Sequence, residues 1–142
     1  MKNQPQGGFL VSRIHQAARR HFARILRTKR IRLNPRQGRI MFLLWREGPL
    51  PITEISRRTS LGKSTLTAML DRLERDGHVR RVRSEDDRRV ILIEPTARNA
   101  RAQAVFIEAS EEMARRFYRG FSRAEIRRFE HDLSRILDNL AD

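Results

Sequence analysis

Apolar residues recur at helical spacing through Leu10, Ile14, Ala17, Ala18, Phe22, Ile25 and Leu26, with Arg13, Arg19, Arg20, Arg24 and Arg27 between them. This predicts a long basic amphipathic helix after the Gly7-Gly8 break. Asn34-Pro35 reads as an N-cap with proline at the first helical position. The helix it opens carries Ile40, Met41, Leu43, Leu44 and Trp45 and stops at Gly48-Pro49. So dense an apolar run implies burial on most sides. Pro51 and Thr53-Glu54 open a short third helix with Ile52 and Ile55. After a turn at Ser60-Leu61-Gly62, a fourth runs from Lys63 to about Asp76 and ends at Gly77. Two helices joined by a tight turn make a helix-turn-helix.

The fourth helix turns Leu66, Met69, Leu70 and Leu73 inward. Ser64, Thr65, Ala68, Arg72 and Arg75 then face outward, with Lys63 and Thr67 at the margin, so the outer face is small, polar and basic. Val79–Arg83 alternates apolar residues with arginine as a half-buried strand does, and Val90–Ile93 is β-branched enough to pair with it across a charged tip, Ser84–Arg88. From about Thr96 the pattern turns helical again through Ala100, Ala104, Ile107, Met113 and Phe117. Ser122 to Glu125 fits a capping box that restarts the chain as a last helix carrying Ile126, Phe129, Leu133, Ile136, Leu137 and Leu140. The expected fold is mainly α with a small β-hairpin wing (α+β): a winged helix-turn-helix over 34–97, framed by dimerisation helices at 10–30 and 100–142. The whole of 1–142 forms one domain. The framing helices carry apolar stripes that one chain cannot fully bury, which is why a homodimer is expected.

Composition sharpens this picture. The 142 residues suffice for one domain, and 31 Lys plus Arg against 17 Asp plus Glu give a net charge of +14, so the expected partner is a polyanion. The excess is uneven: residues 1–48 carry +11, 49–99 carry +3 and 100–142 are neutral. Charge therefore supplies attraction, while specificity falls to a nearly neutral segment. Only three of the basic residues are lysines, and arginine's planar fork suits phosphate and guanine edges. Without cysteine there is no disulfide, thiolate zinc site or cysteine nucleophile. The scattered histidines His15, His21, His78 and His131 lack the i, i+4 spacing of a helical metal clamp. No phosphate-binding glycine loop or nucleophile motif is present, so neither an enzyme nor a cofactor is expected. No apolar run approaches a membrane span, and Met1–Gly8 has no apolar signal core, so a cytoplasmic protein without a membrane role is expected.

Four segments together resemble the MarR family of bacterial transcription regulators: Leu33–Gln37, Ser64–Thr67, Leu70–Gly77 and Glu85–Arg89. The resemblance covers roughly residues 10–140. It implies a dimer joined through its terminal helices that binds operator DNA and releases it when a small ligand enters a cleft between the dimerisation and DNA-binding regions. Carried over position by position, it assigns base contacts to Ser64, Thr65, Thr67 and Ala68, and phosphate or base-edge contacts to Lys63 and Arg72. Arg88 matches the wing arginine of the minor groove, and Asp87 the acid that holds its fork. Arg36, Arg39, Arg57 and Arg58 are phosphate candidates whose plain alternative is a solvated face, and for Ser64 and Thr65 that alternative is N-terminal capping. His15, Phe22, Trp45 and Phe106 are candidates to line the cleft, although aromatic residues at helical spacing are more often plain core, which ranks first. Gly38 stands where the family usually carries an aromatic residue, which predicts a roomier or differently shaped cleft. Thr59 replaces an expected leucine, and Asn99 an expected glycine that asparagine replaces by tolerating left-handed geometry.

The resulting expectation is a homodimeric, sequence-specific DNA-binding transcription regulator, a ligand-responsive repressor on a pseudo-palindromic double-stranded site. Its effector would be a small molecule, an anionic aromatic one where the first helix's arginines attract it. The alternative is a basic architectural DNA- or RNA-binding protein without sequence specificity.

Overall fold

The computed structural model describes residues 2–142; Met1 lies outside them. The fold comprises six helices and a three-stranded antiparallel sheet against which α2, α3 and α4 pack. In chain order these are α1 (Gly7–Thr28), α2 (Pro35–Glu47), β1 (Leu50–Pro51), α3 (Ile52–Thr59), α4 (Lys63–Arg75), β2 (Val79–Arg83) and β3 (Ile91–Pro95). A 3₁₀ turn (Ala97–Asn99) then leads into α5 (Ala100–Phe117) and α6 (Arg123–Asn139).

Local chemistry sets the boundaries. At the start of α2 the Asn34 side chain accepts from the Gln37 amide at 2.9 Å while Gln37 Oε1 accepts from the Asn34 amide at 3.1 Å, a full capping box. Ser122 and Glu125 form the same reciprocal pair at α6. Gly48 and Gly77, at φ 81° and 80°, close α2 and the turn after α4 in a conformation that penalises a Cβ.

The core joins the helices to the sheet. Leu26, Ile40, Met41, Leu44, Ile55, Leu66, Leu70, Leu73, Val79 and Ile93 are its largest enclosed side chains. β3 lies in the middle, with Leu50 opposite Ile93 on one side and Arg81 opposite Ile93 on the other. Phe106 and Ala109 of α5 complete the core from above. By contrast α6 buries no residue fully, and apolar side chains stand exposed at both ends of the chain: Phe9, Leu10, Val11 and Ile14 on α1, and Ile136, Leu137 and Leu140 at the end of α6.

Two expectations need correction. The winged module contains a third strand, β1, which the Pro49-Leu50-Pro51 sequence concealed because proline weakens a strand reading. Asn99 sits at φ −109° rather than in the left-handed region, and its buried side chain instead meets His78 Nδ1. Thr59, in place of leucine, is buried with its hydroxyl donated to the Ile55 carbonyl at 2.6 Å. No helix among the described residues is long and apolar enough to cross a membrane.

Candidate nucleic-acid interface

The α3–α4 pair is fixed by its turn. Ser60 takes φ 58°, and Ser56 Oγ donates to the Leu61 carbonyl at 2.6 Å, locking the path into α4. Leu66, Leu70 and Leu73 then anchor α4 in the core and leave Lys63, Ser64, Thr65, Thr67, Ala68 and Arg72 exposed. The N-cap is Gly62, with no side-chain cap bond, so neither Ser64 nor Thr65 is consumed in capping. The first turn of α4 therefore presents uncapped amides and small side chains together, a surface able to approach a groove or a phosphate closely. Thr67 Oγ1 donates to the Lys63 carbonyl at 2.8 Å, which leaves its oxygen able only to accept. Arg72 lies farther along, bordering a groove with Arg30, Arg32 and Arg101.

Arg81 ties this helix to the wing. From β2 its guanidinium reaches Glu74 Oε1 at 2.7 Å and Asp71 Oδ1 at 2.8 Å, while its amide donates to Glu74 Oε2 at 3.2 Å. Both acids belong to α4, so three polar contacts set the angle between α4 and the hairpin. Sequence reasoning passed over Arg81. The signal was available in the alternation of β2, which aims position 81 at α4.

At the wing tip the expected pairing of Asp87 with Arg88 is corrected: Asp87 holds Arg89. Its Oδ1 accepts from the Arg89 amide and from Arg89 Nε, both at 3.1 Å, and its Oδ2 accepts from the Arg89 guanidinium at 3.2 Å. An Asp side chain that captures the amide two residues on brings its carboxylate beside that residue's side chain, not its immediate neighbour's. The Arg89 guanidinium and amide pull the Asp87 carboxyl below its ordinary range. Arg88 is exposed, and its carbonyl accepts from Arg83.

The remaining arginines divide. Arg57 is bound by Glu54 on its own helix, and Arg58 by Glu47 at 2.6 and 3.0 Å, so their charges are partly spent inside the chain. Arg36 and Arg39 stand on the rim of a cleft of about 680 Å³, with Arg19 and His15 facing them from α1. Phe22, Phe42 and Phe106 supply apolar walls, and Leu61, Gly62 and Thr65 bring the helix-turn-helix to its edge. Such a volume, apolar with a few cations, suits a small organic anion.

Of the candidates for this cleft, His15, Phe22 and Phe106 line it, whereas Trp45 and Gly38 do not. Trp45 packs behind Phe106, ring centroids 5.5 Å apart. Gly38 is buried beneath the Phe106 ring, whose Cζ would stand 2.5 Å from a Cβ added there. The missing side chain therefore does not widen the cleft, because an aromatic ring from α5 fills the space.

The MarR family model matches residues 33–91. The transcriptional repressor IacR of Pseudomonas putida is 26% identical over 132 residues, covering 93% of this chain and 78% of IacR. Shorter stretches reach 44% and 37% identity to other helix-turn-helix transcriptional regulators, where the chain spans 28% and 38% of those relatives' length. Among solved structures, Bordetella bronchiseptica BpsR, in a study of DNA-binding regulation by 6-hydroxynicotinic acid, has a TM-score of 0.82 at 19% identity over 100% of this chain and 97% of that one. A mutant of Escherichia coli MarR in complex with operator DNA has a TM-score of 0.75 at 21% identity, covering 92% of both chains.

Proposed function

We propose that the chain is a member of the MarR family, whose model matches residues 33–91, and that it is a homodimeric, sequence-specific DNA-binding regulator of transcription, an effector-responsive repressor working in the cytoplasm. The observation that carries this reading is the exposed first turn of α4, small and uncapped, fixed by Arg81 at a set angle to a wing that ends in an Asp87-held arginine. Ser64, Thr65, Thr67 and Ala68 read base edges, and Lys63 and Arg72 take phosphates. Arg89, with Arg88 beside it, enters the minor groove, where width and negative potential attract arginine.

The apolar side chains exposed on α1 and α6 support a dimer built through the two ends of the chain, since surfaces of this kind rarely stay open to water. A two-fold pair places two α4 helices about one DNA turn apart. The effector is a small aromatic anion in the cleft between α1, α2, α5 and the helix-turn-helix. 6-Hydroxynicotinic acid, named with BpsR, is of that chemical class, and the charges here come from Arg19, Arg36, Arg39 and His15. Because Thr65 belongs both to the cleft edge and to the base-reading face, a bound anion has a direct route to DNA affinity.

The test is competition at fixed salt between DNA from beside the chain's own gene and random duplex. A specificity ratio of about 10³ or more supports the regulator. A ratio near one contradicts it and leaves a basic architectural nucleic-acid-binding protein.

A further inference from the structure

A second cavity of about 540 Å³ lies between α1 and α5, lined by His21, Arg24, Ile25, Glu112, Arg115, Arg116 and Arg119. No residue of the winged module contributes to it. Arg24, Arg115, Arg116 and Arg119 have no carboxylate partner among the described residues, and the one acid present, Glu112, already pairs with Lys29 at 3.5 Å. Four arginines thus line one concavity in which Glu112 is the only acid. Like charges gathered on one concavity attract an anion.

We propose that this α1–α5 cavity is a binding site for a small phosphate-bearing anion with at least two phosphate groups. Multiple forked donors favour phosphate oxygens, which accept two bonds from each guanidinium. DNA presents the same chemistry, but the cavity is confined to α1, α5 and the turn that follows and is separate from the α4 face. A free anion is therefore the occupant. The site is independent of the DNA-binding reading and survives its failure.

His21 supplies the reporter. It faces Arg116, Arg115 and Glu112 from α5, Arg119 from the turn that follows, and Arg20 and Arg24 from its own helix. The Arg116 charge foremost, then burial, then Arg24 and Arg20, hold its imidazole below the ordinary 6.5. A polyphosphate placed among these arginines reverses that field and raises the His21 pKa.

The experiment titrates the full chain with pyrophosphate and follows the His21 imidazole by NMR, with calorimetry in parallel at constant ionic strength. The expected result is one site per chain and an upward shift of the His21 pKa, with binding about tenfold or more weaker in Arg115→Gln/Arg116→Gln while circular dichroism shows the fold retained. Arg24→Gln gives the same loss from the other helix should the double variant fold poorly. Pyrophosphate held at the effector cleft leaves His21 unmoved, which separates the two sites. No movement of His21, an equal movement with chloride, or displacement of pyrophosphate from His21 by duplex DNA overturns the proposal.

Discussion

The Phe106 ring occupies the space that a side chain on Gly38 would take, so an α5 aromatic roofs a glycine inside α2. The ring is itself held, at 5.3 Å and edge-on to Phe22 and at 5.5 Å to Trp45, and is 2% exposed. It has little room to give.

Gly38→Ala is therefore expected to destabilise the protein, although alanine favours the helix by about 1 kcal/mol. Overpacking of about 1–3 kcal/mol outweighs that gain. Phe106→Leu combined with Gly38→Ala should recover most of the loss, a coupling that a double-mutant cycle in chemical denaturation measures. Additive losses would mean that the two residues do not share the space.

Arg81→Met removes the tie between β2 and α4. Its side chain is 26% exposed and its partners more so, so the stability lost should be small, about 1 kcal/mol. Operator affinity should fall about tenfold or more, because helix and wing no longer present a fixed angle to the duplex. Equal losses on operator and random DNA in fluorescence anisotropy would contradict a positioning role.

At the wing, Arg89→Ala is expected to weaken operator binding more than Arg88→Ala does and to reduce the salt slope by about one. Asp87→Ala should cost less than Arg89→Ala, since it frees the guanidinium without removing it. A salt series with the three variants decides this. A dominant effect at Arg88 would return the minor-groove role to that residue.

His21 gives a pH prediction. Its folded pKa lies below the ordinary 6.5, with Arg116 the leading cause. Between the two values the unfolded chain binds more protons than the folded one, so stability rises with pH through that window and falls as pH drops into it. Arg116→Gln should flatten this slope, read as the denaturation midpoint from pH 5 to 8 against the parent. Parallel slopes would show that Arg116 does not set the His21 pKa.

What the sequence disclosed follows the range of each interaction. Asn34-Pro35 and Ser122 with Glu125 fixed their helix starts because a cap is settled within four residues. The outward face of α4 was legible from the leucine spacing alone. The Gly38–Phe106 exchange was not, because it couples positions on α2 and α5 that only tertiary packing brings together. The partner of Asp87 was misread within a run of two arginines, since a match to a short motif cannot tell neighbours apart, whereas the Asp87 turn does. The +14 charge also divides more finely than a count by thirds can show. Arg57, Arg58 and Arg81 are engaged by acids, while Arg24, Arg115, Arg116 and Arg119 line a cavity in which Glu112 is the only acid.

Selection of duplexes bound by the full chain from a random pool decides whether this protein reads sequence as a two-fold dimer. A symmetric consensus with half-sites about one helical turn apart is expected, together with loss of that consensus on Thr65→Ala/Ala68→Gln while weak random-duplex binding is retained. Recovered duplexes with no shared sequence, or an unchanged consensus in the variant, would contradict it.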